Sequence, residues 1–164
     1  MARGGGPSAD RSPRAGLAIV AATLFAAFIF LNYITQTTFV PALAAHFRPE
    51  LGVLIEALSM SNPRSMGWAV EMWGYGMLGI ATWLSASAFS GAALERWAAR
   101  TCVANGVISV AGGVMTAARL DWVFTTPGYV SFAAWNLLML VLAGLTVAVW
   151  RRRLAIAGSG APAR

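Results

Sequence analysis

Four long apolar segments limit what this chain can fold into more than any other feature of its sequence. They cover residues 15–41, 66–90, 98–118 and 129–150. Each is close to the roughly 20 residues that a helix needs to cross the hydrocarbon core of a bilayer. Hydrophobic residues make up 58% of the chain and charged residues only 11%, a composition that is unusual for a soluble domain. We therefore expect an all-α integral membrane protein built as a four-helix transmembrane bundle.

The first apolar segment follows three arginines and must be distinguished from a signal peptide. It is about 27 residues long, whereas the apolar part of a signal peptide usually has about 7 to 15 residues. We interpret it as a retained span. Residues 1–14, rich in glycine, proline and arginine, are predicted to form a disordered cytoplasmic tail. Residues 15–150 then form one membrane domain, and residues 151–164 form a basic cytoplasmic tail.

The arginines are distributed unevenly between the two sides of a four-span arrangement. All twelve basic residues are arginines. One side carries nine of them and the other side carries three, namely Arg48, Arg64 and Arg119. The nine are Arg3, Arg11, Arg14, Arg96, Arg100, Arg151, Arg152, Arg153 and Arg164. Because cytoplasmic loops carry an excess of Lys and Arg, this pattern predicts a protein of the cell (plasma) membrane with both termini in the cytoplasm.

The loop between spans one and two has a helical pattern of its own. Within residues 49–60, apolar residues recur at the spacing of one helix face, at Leu51, Leu54, Ile55 and Leu58. The pattern predicts an amphipathic helix at the outer membrane interface, acting either as a lid over the bundle or as a helix that only packs on its rim. After it, Asn62 is the predicted N-cap of span two.

Glu71 is the only acidic residue inside a predicted span. Ionisable residues in membranes are costly, and they commonly mark functional sites. At 1.5 Å of rise per residue, polar residues of spans one, two and four fall at the same depth as Glu71. We therefore predict a pocket in the outer leaflet around Glu71, with His46 and Arg64 above it. Its ligand-binding residues would be Asn32, Tyr33, Gln36, Trp68, Tyr75, Trp135 and Asn136.

Such a pocket has both a chemical and a structural interpretation. Glu71 is a candidate acid/base group for a lipophilic substrate, and the aromatic rings would stabilise positive charge on that substrate. An intramembrane isomerase or cyclase is therefore one hypothesis. Amide side chains such as Asn32 and Gln36 can equally serve only to hold helices together. Span three supports the structural interpretation, because its small and polar residues share one face that is typical of close helix packing. These residues are Asn105, Ser109, Gly112, Gly113 and Thr116.

Several other chemistries lack the residues they need. One histidine and one cysteine, Cys102, offer too few ligands for a zinc site, and a single cysteine forms no intrachain disulfide. The glycines of residues 4–6 do not follow a strand, and those near Tyr75 lie within an apolar helix, so neither set predicts a phosphate or dinucleotide site. We predict no metal, no cofactor and no nucleic-acid partner.

Three short stretches resemble a known group of proteins. They are Leu31-Asn-Tyr-Ile-Thr-Gln36, Asn62-Pro63 and Ala69-Val-Glu-Met-Trp-Gly-Tyr75. The pattern is similar to that of small bacterial four-span membrane proteins of uncharacterised function. The resemblance implies a fold and a membrane location, but no catalytic residue.

Three functions remain as hypotheses. The first is binding, with possible isomerisation or cyclisation, of a lipophilic small molecule at Glu71. The second is a non-catalytic accessory or scaffold subunit that associates with itself or with another membrane protein through small-residue faces. The third is a small transporter, for which four spans would require an oligomer. Membrane lipids are expected partners in each case.

Overall fold

The computed structural model describes residues 13–118 and 121–158 of the chain. Within these ranges the regular structure is entirely helical. The α-helices are α1 (Pro13–Ile34), α2 (Val40–Ala45), α3 (Pro49–Leu58), α4 (Met66–Ser85), α5 (Ala93–Ala118) and α6 (Thr126–Gly158). A π-helical turn (Thr35–Phe39) joins α1 to α2, and short 3₁₀ turns cover Ala86–Ala88 and Trp122–Phe124. Parts of two predictions lie outside the described residues. From the predicted tails these are residues 1–12 and 159–164, and from the charge pattern they are Arg3, Arg11, Arg119 and Arg164.

Three of these helices are long and apolar enough to cross a membrane: Pro13–Ala45, Ala93–Ala118 and Thr126–Gly158. The prediction of an all-α protein is confirmed for the described residues, and three of its helical segments are long and apolar enough to span a membrane. Helix α4 has 20 residues and one charged residue, Glu71. Its four glycines and three tryptophans make it less apolar than the three segments named above. It packs against both α1 and α5, so it lies between two helices that are apolar enough to span.

The helices pack in the order α1, α4, α5, α6. At one end of the α5–α6 pair, Arg153 Nε donates to Glu95 Oε1 at 3.0 Å, which aligns the end of α6 with the start of α5. At the opposite end of α5, Arg64 lies 3.7 Å from Asp121. Helices α4 and α5 approach each other closely at Gly79 and Gly106, where an added Cβ at Gly106 would lie only 2.9 Å from the Gly79 carbonyl oxygen.

The first span continues beyond its predicted end at Pro41 because of the π-helical turn. Proline has no N–H and its ring clashes with the carbonyl four residues earlier. The wider turn over Thr35–Phe39 ends two residues before Pro41, and the helix then continues to Ala45. The helix also begins at Pro13, within the predicted tail, and α6 extends past residue 150 to Gly158.

The predicted N-cap of span two was wrong. Helix α4 begins at Met66, and the Ser65 hydroxyl accepts the Trp68 backbone N–H at 2.9 Å. Asn62 is used in the preceding turn instead, where its amide oxygen accepts from Arg64 N and its amide nitrogen donates to Glu56 O, both at 3.0 Å. Its side chain is therefore already bonded three residues before the cap.

The polar face of α5 is a packing surface inside the bundle. Asn105 Nδ2 donates to Thr82 Oγ1 of α4 at 2.9 Å. On the other side, Ser109 accepts the indole N–H of Trp135 from α6, also at 2.9 Å. Asn105, Ser109, Gly113 and Thr116 are buried, whereas a Cβ on Gly112 would meet nothing within 4 Å. The face is used between helices of the same chain, and Gly112 lies outside it.

Candidate functional site

Glu71 is buried between α1 and α4, with 8% of its surface exposed. Its Oε2 atom accepts a hydrogen bond from Asn32 Nδ2 at 2.7 Å, and Tyr33 Oη lies 3.4 Å from Oε1. Asn32 is itself 3% exposed, whereas Tyr33 is 43% exposed. One carboxylate oxygen is therefore held deep in the protein by an amide, and the other is approached by a phenol at the protein surface.

Gln36 connects this carboxyl group to the segment that follows α3. Its Nε2 atom donates to Leu58 O at 2.9 Å and lies 3.3 Å from Asn32 Oδ1, and its Oε1 atom accepts from Met60 N at 2.9 Å. The missing side chain of Gly67 permits this approach, because a Cβ there would lie 3.1 Å from both Gln36 Nε2 and Met60 N. Of these three partners of Gln36, Leu58 O and Met60 N belong to the end of α3 and the residues after it, so Gln36 holds this segment against the bundle.

Met60 closes the site from the side of α3. Its sulfur lies 3.3 Å from Asn32 Nδ2, the same nitrogen that donates to Glu71. Helix α3 itself keeps much of its apolar surface outside the bundle, with Val53 76% and Leu54 41% exposed. The helix predicted over residues 49–60 is present at Pro49–Leu58, and Met60, which follows it, contacts the amide that bonds to Glu71.

Aromatic rings lie one helical turn below Glu71. The Tyr75 ring meets the Trp135 ring edge-on, with centroids 4.9 Å apart, and lies 5.8 Å from the Phe25 ring. This group joins α1, α4 and α6. Edge-to-face pairs of this kind are favourable beyond the area they bury, so Tyr75 forms a well-fixed floor to the site.

Not all of the predicted ligand-binding residues come together. Asn136 is exposed and donates to Phe132 O of its own helix at 2.8 Å. Trp68 is on the same helix as Glu71, but its ring stacks on Phe124, with centroids 6.2 Å apart. His46 and Arg64 are exposed, and Arg64 pairs with Asp121. The site as built contains Asn32, Tyr33, Gln36, Glu71, Tyr75 and Trp135, with Met60 and Phe25 as additions.

The carboxyl group of Glu71 has hydrogen-bond donors but no cationic partner among the described residues. The two ion pairs there are Arg64–Asp121 and Arg153–Glu95. Charges buried in a low-dielectric setting are normally paired, so this site differs from a structural ion pair. Among the described residues, His, Cys, Asp and Glu also form no group of three or more that would hold a metal ion.

Two cavities lie on α4, and neither is lined by Glu71. The larger is an apolar groove of about 370 Å³ bounded by Phe28, Ala69, Val70, Trp73 and Met77. The smaller has a volume of about 140 Å³ and lies at the start of α4, next to the end of α5. Of the residues that contact Glu71, Tyr33 has a largely exposed side chain, with 43% of its surface exposed.

Comparison of the chain with protein-family models, with curated proteins and with solved structures finds no match. The site must therefore be interpreted from its own chemistry. It offers a carboxyl group with no cationic partner in the described part of the chain, a phenol at the surface, a series of amide hydrogen bonds to a loop, and aromatic rings one turn away. This arrangement can accept hydrogen bonds from a ligand, exchange a proton with it, and stabilise positive charge against aromatic faces.

Proposed function

We propose that this protein binds a lipophilic small molecule at Glu71, and that the molecule carries a cationic or hydrogen-bond-donating nitrogen. One observation carries the proposal: a carboxyl group that is 8% exposed has donors in Asn32 and Tyr33 but no cation among the described residues. A ligand that brings a positive charge or a donor would complete the site. An intramembrane position favours a ligand that partitions into lipid.

The proposal includes the membrane arrangement. All four of the helices α1, α4, α5 and α6 would cross a bacterial plasma membrane, with both termini in the cytoplasm and Glu71 in the outer half. Support comes from the position of α4 between α1 and α5 and from the arginines near the ends of α5 and α6. Helix α3 would then lie along the outer interface.

Tyr33 and Met60 would control entry to the site. Tyr33 is the surface-exposed partner of Glu71, and a rotation of its side chain would open a path from the surrounding lipid. Met60 would close the site from above, because Gln36 holds its backbone in place. Tyr75 and Trp135 would present their rings to the apolar or cationic part of the ligand.

Glu71 would also be the group that exchanges a proton with the bound molecule. Proton transfer is the minimum requirement for an acid/base isomerisation or cyclisation. The proposal therefore covers an enzyme as well as a binding protein, with Glu71 as the catalytic residue in the first case.

A structural function is the second candidate, and the bonds of Gln36 favour it. The chain of contacts from Glu71 through Asn32 and Gln36 to Leu58 and Met60 ties the outer loop to the bundle. In this case the cluster would fix α3 so that its exposed apolar surface meets a partner membrane protein. Such a scaffold would retain no small molecule.

Mass spectrometry of molecules retained by the purified protein separates these candidates. The wild type, Glu71→Gln and the matched control Glu56→Gln, at an exposed position of α3, are purified in the same detergent and extracted with organic solvent. We expect a species that is enriched on the wild type and on Glu56→Gln and lost from Glu71→Gln. Identical extracts from three equally stable proteins would contradict ligand binding at Glu71.

A further inference from the structure

We propose that a second face of α4 binds a phospholipid, with the phosphate group near Arg64 and Trp68 and one acyl chain along the helix. This inference depends on the membrane location of the bundle and not on any ligand at Glu71. It rests on two adjoining cavities, one unpaired buried donor and one weakly paired cation.

The smaller cavity is mostly apolar but includes polar side chains that a lipid headgroup can contact, among them Arg64 and Trp68. Its volume is about 140 Å³, and it is lined by Pro63, Arg64, Ser65, Trp68, Ala69, Trp73, Thr116 and Ala117. Trp68 Nε1 is the buried side-chain polar atom that lacks a partner among the described residues. Leaving such a donor unsatisfied is unfavourable, and buried polar groups in proteins almost always have a partner. A phosphate or ester oxygen would supply one.

Arg64 provides the positive charge at the edge of this cavity. Its Nη2 atom lies 3.7 Å from Asp121 Oδ2, and the two side chains are 71% and 65% exposed. Exposed ion pairs of this kind contribute little. A guanidinium group has five N–H donors in a geometry that suits phosphate oxygens, so Arg64 can bind a phosphate without losing a strong partner.

The larger cavity continues the smaller one and has the character of an acyl-chain site. The groove of about 370 Å³ shares Ala69 and Trp73 with the headgroup cavity, and its other lining residues are Phe28, Val70 and Met77. From Trp68 to Met77 the helix rises about 14 Å. One leaflet contributes about 15 Å of hydrocarbon, half of the roughly 30 Å core. The two adjoining cavities together therefore extend along α4 for about the depth of one leaflet.

The lipid site and the Glu71 site are on different sides of α4. Glu71 and Tyr75 face Asn32 and Trp135 inside the bundle. Ala69 and Trp73 lie two residues before each of them and are exposed. Because each residue of a helix turns by about 100 degrees, a difference of two residues places side chains on nearly opposite sides. A substitution at Ala69 can therefore test the lipid site while Glu71 keeps its contacts.

Native mass spectrometry of the full-length protein tests this proposal. Phosphatidylglycerol is titrated against the wild type, Ala69→Phe, Trp68→Phe and the control Ala133→Phe, which adds the same ring at an exposed position of α6. Diacylglycerol, which lacks the phosphate, is the comparison ligand. We expect one tightly retained phosphatidylglycerol, about tenfold weaker retention in Ala69→Phe, about fivefold weaker retention in Trp68→Phe, and wild-type behaviour in Ala133→Phe.

Two results would overturn it. Equal retention of phosphatidylglycerol by the wild type, Ala69→Phe and Trp68→Phe would show that these cavities do not hold the lipid. Equal affinity of the wild type for diacylglycerol and phosphatidylglycerol would show that the phosphate is not recognised. Trp68→Phe keeps a ring for the contact with Phe124, so it tests the N–H even if Ala69→Phe fails to fold.

Discussion

Asn32 Nδ2 lies 2.7 Å from Glu71 Oε2, and this hydrogen bond joins α1 to α4 inside the bundle. The same nitrogen lies 3.3 Å from the Met60 sulfur. Asn32 therefore touches the carboxyl group below it and the loop above it. Through this amide, the loop after α3 is connected to Glu71.

We expect Asn32→Leu to destabilise the protein by about 1 to 2 kcal/mol, because it leaves a buried carboxyl group without its closest donor. Asn32→Leu/Glu71→Leu should lose less than the sum of the two single variants, since it removes the unpaired acid as well. Thermal or denaturant unfolding in detergent measures both effects. Additive losses would mean that the two side chains are not coupled.

Gln36→Leu should release the end of α3 while leaving the bundle folded. The variant removes the bonds to Leu58 O and Met60 N, so we expect faster amide hydrogen exchange over residues 58–65. Thr37→Val is the matched control, since the Thr37 hydroxyl bonds only within its own helix, to Tyr33 O. Unchanged exchange in Gln36→Leu would show that other contacts hold the loop.

Replacing a glycine of α5 by alanine should change the free energy of unfolding differently on the face that packs against α4 and on the face that does not. A Cβ at Gly106 would lie 2.6 Å from Trp83 Cβ and 2.9 Å from Gly79 O, so Gly106→Ala must push α4 and α5 apart. We expect a loss of about 1 to 3 kcal/mol. Gly112→Ala meets nothing within 4 Å and should be neutral or stabilising by up to about 1 kcal/mol. Equal effects on the unfolding free energy would contradict the packing described for α5.

The rise of 1.5 Å per residue predicted that Asn32 and Gln36 lie at the depth of Glu71. It did not predict how each helix is rotated about its own axis. Helix α6 is apolar on every side, so its sequence does not show which face meets α5. Asn136 was therefore placed in the pocket, although it lies one residue beyond the face that contains Trp135. Trp68 is different, because it lies three residues before Glu71 on the same helix, and its ring stacks on Phe124 instead.

The contacts of Gln36 could not be predicted from the sequence either, because they depend on the path of a loop. Leu58 O and Met60 N belong to the backbone, and no side-chain pattern indicates where they lie. A small residue at Gly67 was the available signal, since it permits the loop to approach α4. Glycines in membrane helices usually indicate that two helices pack closely. The sequence therefore does not show that Gly67 makes room for a loop instead.

Arg153 should matter more than its neighbour Arg151 for the end of the bundle where α5 begins. Arg153 donates to Glu95 Oε1 at 3.0 Å and to Ala88 O at 2.8 Å, so it joins α6 to α5 and to the preceding loop. We expect Arg153→Gln to lower the unfolding free energy by about 1 kcal/mol and to increase proteolysis near residues 88–92. Arg151→Gln, at an exposed position, should do neither. Similar proteolysis of the two variants would rule out this role of Arg153.

Cysteine labelling should determine whether α4 crosses the membrane. Cys102 is buried and is the only cysteine, so Cys102→Ala gives a background free of thiols. Ser61→Cys and Ser90→Cys then place single exposed thiols before and after α4. If α4 spans and both termini are cytoplasmic, a membrane-impermeant maleimide labels Ser61→Cys in intact cells, but Ser90→Cys only after permeabilisation. Labelling of both thiols from the same side would mean that α4 does not cross, and Glu71 would then lie outside the hydrocarbon core.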